Sequence, residues 1–258
     1  MKIIFSLLIA GLMFLSACEK DEFQNSFKSP SKLLVSIKEN DKLIFEFKYD
    51  DLNRLVQIDK YPSGSTVCTS EFYEYDSQNR LISKTYGEFI ETFEYNSSGK
   101  LKATTRHYQP NDKEWEIEYQ YNKGLISKGI TYYNGLEWGS VQYKYDSRGN
   151  TIERTEYSIS SEYTDNIISQ FKYTYDNKVN PYLFSGFSFW SECPVDIIQG
   201  NNPTYSYYYN INMSMFPPQY VFTYDYDNTG LPIKEYREEL QEYGVSSVFE
   251  YEYMDKEE

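Results

Sequence analysis

Histidine is almost missing from this 258-residue sequence, where His107 is the only one. That excludes His-cluster metal sites and argues against a hydrolytic triad, since both need an imidazole beside a second functional group. Glycine-rich phosphate loops are missing too, neither a P-loop nor a GxGxxG pattern being present, so nothing is built to cradle a nucleotide. Positive charge is in short supply, with 25 Lys and Arg against 39 Asp and Glu and a formal net charge of −14. A chain of that sign repels phosphate backbones, which sets nucleic acid aside as a partner. No hydrophobic run after residue 17 approaches the length of a membrane helix, and no stretch reads as a long amphipathic helix. Cysteine is limited to Cys18, Cys68 and Cys193. In an exported chain the last two are a candidate disulfide pair.

Carboxylates are abundant, but most fall on the polar face of strand-like segments and no pair stands out for glycosidase chemistry. Asp225, Asp227, Thr229 and Gly230 mimic the opening of a calcium loop, yet Tyr236 stands where the closing Glu belongs. The same residues form a turn of the repeat described below. No catalytic residue, metal ligand or cofactor is therefore assigned, and the chain reads as a non-enzyme.

What the sequence has in excess is aromatic side chains, at 19% of residues, with 29 Tyr and 16 Phe. Tyrosine favours strands because its ring packs on a pleated surface while its hydroxyl reaches a polar partner. One phrase recurs: Phe45 to Asp50 then Asn53-Arg54-Leu55, Phe72 to Asp76 then Asn79-Arg80-Leu81, and Phe93 to Asn96 then Gly99-Lys100-Leu101. Later copies centre on Tyr121, Tyr145, Tyr175 and Tyr226. Two residues before each of the seven anchor tyrosines the side chain is aromatic (Phe47, Tyr73, Phe93, Tyr119, Tyr143, Tyr173, Tyr224), and one before it is polar. Such alternation marks a strand with one buried and one wet face. The Asp or Asn after the anchor opens a type I turn, and the Asn or Gly three residues later takes positive φ. Each copy is a β-hairpin. Two further copies are read at Tyr205, Tyr207 and Tyr209, and at Phe249, Tyr251 and Tyr253, for up to nine units.

The fold class expected is all-β, an antiparallel meander of tyrosine-rich hairpins forming a curled sheet. An outer-membrane barrel is the alternative, since it also alternates apolar and polar residues. Against it stand the N-terminal signal described next, the charged end Lys256-Glu257-Glu258, and return strands whose faces mix, with Ile82, Lys84 and Tyr86 placed on one side.

The N-terminus reads as an export signal. Met1-Lys2 is a basic start, Ile3 to Phe14 an apolar run too short to span a bilayer, and Leu15-Ser16-Ala17-Cys18 follows at once. That quartet resembles a bacterial lipobox. The resemblance implies a signal peptide over 1–17, a diacylglycerol thioether on Cys18 and a membrane as partner through that lipid. Lys20, Asp21 and Glu22 resemble the surface-export signal of Bacteroidota lipoproteins, and 18–32 reads as a lipidated tether. The expected location is the outer membrane, with exposure at the cell surface.

Over 33–258 the repeated phrase resembles the YD repeat of Rhs-type proteins, Tyr-Asp, two residues, then Gly-Arg-Leu. Tyr49-Asp50 to Leu55 and Tyr75-Asp76 to Leu81 match closely, while Tyr121-Asn122 to Gly124 is a residue short. Together with the lipobox, the pattern is similar to small YD-repeat-like lipoproteins of Bacteroidota. It implies an envelope β-repeat protein, either a surface binding or adhesion module or an accessory lipoprotein of an envelope complex. Glycans and other envelope proteins are the candidate partners. The rhythm breaks over an aromatic insert at 181–218, where Trp190, Tyr205, Tyr207 and Asn201 are the candidate ligand-binding residues. The alternative is that the insert plugs an open end of the sheet, with Phe187, Phe189 and Trp190 as buried core.

Overall fold

The computed structural model describes residues 32–62, 65, 67–160, 163–181, 200–210, 219–240 and 246–256. Among them lie sixteen strands in chain order. They are β1 (Lys32–Glu39), β2 (Lys42–Tyr49), β3 (Leu55–Lys60), β4 (Thr69–Tyr75), β5 (Leu81–Tyr86), β6 (Phe89–Tyr95), β7 (Leu101–Tyr108) and β8 (Lys113–Asn122). There follow β9 (Leu125–Tyr133), β10 (Leu136–Tyr145), β11 (Thr151–Ser160), β12 (Tyr163–Val179), β13 (Asn201–Asn210), β14 (Gln219–Tyr226), β15 (Pro232–Glu239) and β16 (Ser246–Asp255). Each pairs antiparallel with the next, as the sequence predicts.

The curled open sheet is corrected. β1 pairs with β16, from Lys32 opposite Asp255 to Glu39 opposite Phe249, and the sheet closes into a barrel. An open sheet would leave two rows of backbone N–H and C=O groups without ladder partners, and closure removes both. It also brings Phe249 and Tyr251 of β16 into one core with Leu34 and Ile37 of β1, Ile44 and Phe47 of β2, Leu55 and Ile58 of β3, and Tyr73 of β4.

The turns follow the residues. In the first repeat turn Asp50 accepts hydrogen bonds from the backbone N–H groups of Leu52 and Arg54 and from Arg54 Nε. Asp76, Asn96, Asp146 and Asp227 accept the same pair of backbone bonds in their own turns. Asn53, Asn79, Gly99, Gly149 and Gly230 adopt positive φ at the fourth position. The calcium-loop mimic at Asp227 is one of these turns. Where the phrase is a residue short, Lys123 and Gly124 both take positive φ, +50° and +84°, as a two-residue hairpin turn demands.

A bulge follows each repeat turn. Register shifts fall between Lys48 and Tyr49, Glu74 and Tyr75, Glu94 and Tyr95, Gln120 and Tyr121, Lys144 and Tyr145, and Asp225 and Tyr226. Each adds one residue to the return strand, which breaks the alternation there. This overturns the placement of Ile82 beside Lys84 and Tyr86. Ile82 is the extra residue and is turned to solvent, while Lys84 lies opposite Tyr73 on the inner face.

The anchor tyrosines tie neighbouring strands together inside the barrel. Eight hydroxyls donate to the carbonyl oxygen near the start of the preceding strand: Tyr49 to Leu34, Tyr75 to Leu55, Tyr95 to Leu81, Tyr121 to Leu101, Tyr145 to Ile126, Tyr175 to Thr151, Tyr224 to Pro203 and Tyr253 to Pro232. The hydroxyl that the phrase places at Tyr226 goes instead to Asp176. The copy read at Tyr205 to Tyr209 lies on β13, a return strand, and its register sets Tyr205 and Tyr207 opposite the outward Thr174 and Lys172. It is therefore not a unit of the repeat.

Burial raises the pKa of the Tyr49, Tyr75, Tyr95 and Tyr121 phenols, with Tyr75 and Tyr121 pushed from 10.0 to about 12. The folded chain thus holds protons that an unfolded chain releases near 10. The stabilisation is whole below pH 10 and is lost as pH climbs towards 12. Tyrosinate absorbance and loss of the far-ultraviolet dichroism of the sheet are expected to rise together above pH 10. Ionisation of all the tyrosines near pH 10 with the sheet intact would contradict the ladder.

Candidate functional site in the barrel lumen

The two faces of the wall differ sharply. Outward positions carry ion pairs across neighbouring strands: Lys48 with Asp59 at 2.6 Å, Lys102 with Glu94 at 2.8 Å, Lys144 with Glu153 at 2.6 Å and Lys234 with Glu250 at 2.7 Å. Glu114, Glu116 and Glu118 line the outer face of β8, and His107 is outward on β7 opposite Ile90. Large apolar groups on this side include Phe72 and Ile233, 49% and 40% exposed.

Inside, the repeat stacks aromatic layers near the repeat turns. Tyr119, Ile126, Val141 and Tyr143 form a second core across β8, β9 and β10. Gly129 makes it fit, because a Cβ there would sit 2.6 Å from Ile117 Cγ2 and 2.8 Å from Val141 Cγ1. Further from those turns the inner face becomes charged. Glu71 is buried between Lys60 at 2.6 Å and Lys84 at 3.6 Å and accepts a bond from Tyr73. Burial alone would raise its carboxyl pKa, but Lys84, Lys60 and Tyr73 hold it below the usual range. Glu235 is buried likewise, between Arg237 at 3.0 Å and the hydroxyl of Tyr251 at 2.6 Å.

Between β6 and β13 the inner face encloses a cavity of about 680 Å³. Its polar lining holds two Arg–Glu pairs together with Thr104, Thr131 and Ser140, and Glu116 borders it. Arg106 lies 3.8 Å from Glu91, and Arg154 bonds Glu156, which also accepts from Ser169. Its apolar groups are flat rings. Phe171 stacks on Tyr208 at 4.5 Å, with the Arg154 guanidinium 5.2 Å from the Phe171 centroid. Across the cavity, Trp115 packs on Tyr133 at 5.3 Å, and Tyr133 meets the edge of Trp138 at 6.4 Å. Trp115 and Trp138 are 38% and 59% exposed, so they form a rim rather than core. Backbone geometry presents Trp138. A register shift falls between Glu137 and Gly139, and a Cβ on Gly139 would lie 2.1 Å from the Tyr157 carbonyl oxygen, so glycine is required beside the rim.

The candidates from the sequence fall elsewhere. Tyr205 and Tyr207 share the outer face of β13, the first donating to Gln219 and the second lying 5.9 Å from Lys172 Nζ. Asn201 is buried at the other end of β13, where its side chain bonds Asn150 and the Lys178 carbonyl. Trp190, Cys18, Lys20, Asp21, Glu22 and Cys193 lie outside the described residues. Cys68 is half-buried just before β4. Sequence reasoning missed Trp115, Trp138 and the Arg–Glu pairs. The bulge in each return strand turns Lys84, Arg106 and Arg154 inward, against a pattern read at period two. Among the described residues no cluster of His, Cys, Asp and Glu is arranged for a metal ion.

With the turns and ladder in view, comparison with known families is direct, as residues 45–88 match the family model of the RHS Repeat. These residues resemble an RHS repeat. It covers β2 to β5 with the turns at Asp50 and Asp76, the two copies in which Arg follows Asn before Leu. The tyrosine bonds seen in the matched residues recur around the barrel beyond them. No curated protein matches the chain. Among solved structures the chain is similar to a porin-like protein from Bacteroides uniformis ATCC 8492, with TM-score 0.56 and 13% identity over 89% of this chain and 99% of that one. It is also similar to a porin-like protein from Bacteroides vulgatus ATCC 8482, with TM-score 0.54 and 13% identity over 86% and 99%. At that identity what is shared is the barrel fold.

Proposed function

We propose that this chain is a lipid-anchored protein of a bacterial envelope whose barrel stands in water and binds a ligand without transforming it. The observation that carries this reading is the orientation of the wall. A barrel that spans a membrane turns an apolar band outward, and a Lys or Arg facing mid-bilayer lipid costs about 2–4 kcal/mol. Here charged pairs stand on the outer face of β2 and β3, β6 and β7, β10 and β11, and β15 and β16. Attachment then falls to the lipobox-like Cys18, with Lys20, Asp21 and Glu22 directing display at the surface. Two or more acyl chains suffice, at about 0.8 kcal/mol for each buried CH₂. The cavity supports binding as the task, since its volume of about 680 Å³ falls in the ligand-pocket range of about 300–1,000 Å³.

Metabolic labelling with a fatty acid tests the anchor. The parent chain is expected to take up label and sediment with membranes, and Cys18→Ser to lose the label and remain in solution without detergent. Label persisting in Cys18→Ser, or an unlabelled chain that still needs detergent, would overturn the reading.

A further inference from the structure

We infer that the lumenal cavity is a carbohydrate site for a neutral pyranose chain, gripped by Trp115 and Trp138 at the rim and by the Arg–Glu pairs beside them. The inference rests on the proposed binding role and names its ligand class. Three observations carry it.

The first is the placement of tryptophan. The chain has three, and two of them stand together at this rim, joined through Tyr133. Exposing two large rings to water forfeits the burial that normally stabilises them. Neither serves the two buried cores, which are built from Tyr, Phe, Ile, Leu and Val. A pyranose offers a flat face of C–H groups, slightly positive, that packs on the negative face of an indole.

The second is the kind of polarity. Glu91, Arg106, Arg154 and Glu156 amount to two acids and two bases, each acid within 4 Å of a base. Such a set offers fixed donors and acceptors side by side. Sugar hydroxyls donate and accept at once, and so match it. An anion would meet two carboxylates in the cavity and a chain of net charge −14 around it. A cation would meet two guanidinium groups.

The third is the division of labour along the cavity. The rings at the rim suit a chain that enters end-on. The Arg–Glu pairs suit recognition of the hydroxyls on its terminal unit, and the Phe171–Tyr208 stack supplies a second flat wall. The preformed ion pairs and the glycine-locked bulge beside Trp138 hold these groups in place before a ligand arrives.

The test uses the purified full-length chain in calorimetric and tryptophan-fluorescence titrations against six neutral hexasaccharides: α- and β-linked glucans, mannan, xylan, chitin and galactan. Dextran sulfate and a basic peptide are the comparison probes. At least one neutral sugar is expected to bind and to shift tryptophan emission. Trp115→Ala and Trp138→Ala should each weaken that binding about tenfold or more, a loss of about 1.4 kcal/mol, with melting temperature unchanged because both rings are exposed. Glu156→Gln should weaken it while leaving the rim intact. Sugar binding that ignores both tryptophan substitutions would overturn the site. Binding of only dextran sulfate or the peptide, sensitive to Trp115→Ala, would overturn the sugar class and leave the binding role standing. If no probe binds while Cys18 takes its lipid, the sugar site is overturned and the anchored-envelope reading survives.

Discussion

Phe249→Ala is expected to destabilise the protein by about 3–5 kcal/mol, the range for removing a large ring from a packed core. Phe249 is 2% exposed, and it sits on the last strand where that strand meets the first. Its ring is covered by the Arg237 guanidinium at 4.0 Å and packs in the cluster that includes Leu34, Ile37 and Phe47. Truncation leaves a void at the seam that the stiff strands on either side cannot collapse to fill. It also strips the ring from Arg237, whose charge is buried beside Glu235. Phe72 is the control, because it faces outward at 49% exposure and its replacement by alanine should cost less than about 1 kcal/mol. Denaturant unfolding measures both. Equal costs at the two positions would mean that Phe249 is not at a closed seam.

The tyrosine ladder gives the second large effect. Replacing Tyr49, Tyr95, Tyr145 and Tyr224 with phenylalanine keeps every ring and removes four hydroxyls that donate to carbonyl oxygens. A hydrogen bond of this kind contributes about 1 kcal/mol. The four positions are on β2, β6, β10 and β14, roughly 19 Å apart along the wall at about 4.8 Å per strand. Residues so distant add, so the quadruple variant should lose about 4 kcal/mol. Tyr207→Phe, on the outer face, should lose far less. A quadruple variant as stable as its parent would show that the hydroxyls do not tie the strands together.

Much of this architecture is legible in the sequence, since it is local. The Asp or Asn that caps each turn, the Asn or Gly at positive φ and the aromatic two residues before the anchor act within one hairpin. Closure was not legible, because it joins Lys32 to Asp255 and no nearby residue signals it. The bulges were not legible either. One extra residue per return strand turns Ile82 outward and Lys84 inward, and a pattern read at period two places both on one face. Aromatic content at Tyr205 to Tyr209 reads as another repeat, but direction along the meander decides which face those rings occupy, and it puts Tyr205 and Tyr207 outside. The cavity needed distant strands to meet: Glu91 and Arg106 on β6 and β7, Trp115 and Trp138 on β8 and β10, Arg154 and Glu156 on β11.

The barrel closes between its first and last strands, and a cross-link at that seam tests the closure most directly. Lys38 and Glu250 are register partners on the outer face of β1 and β16. Partners in an antiparallel pair have Cα atoms about 4.5–5.5 Å apart, within reach of a disulfide. With Cys18, Cys68 and Cys193 changed to serine, the double variant Lys38→Cys, Glu250→Cys should oxidise in detergent-free buffer to a single intramolecular bond. It should remain a monomer and gain stability. A folded monomer whose two thiols stay free, or a bond that forms only between two chains, would contradict the closed barrel.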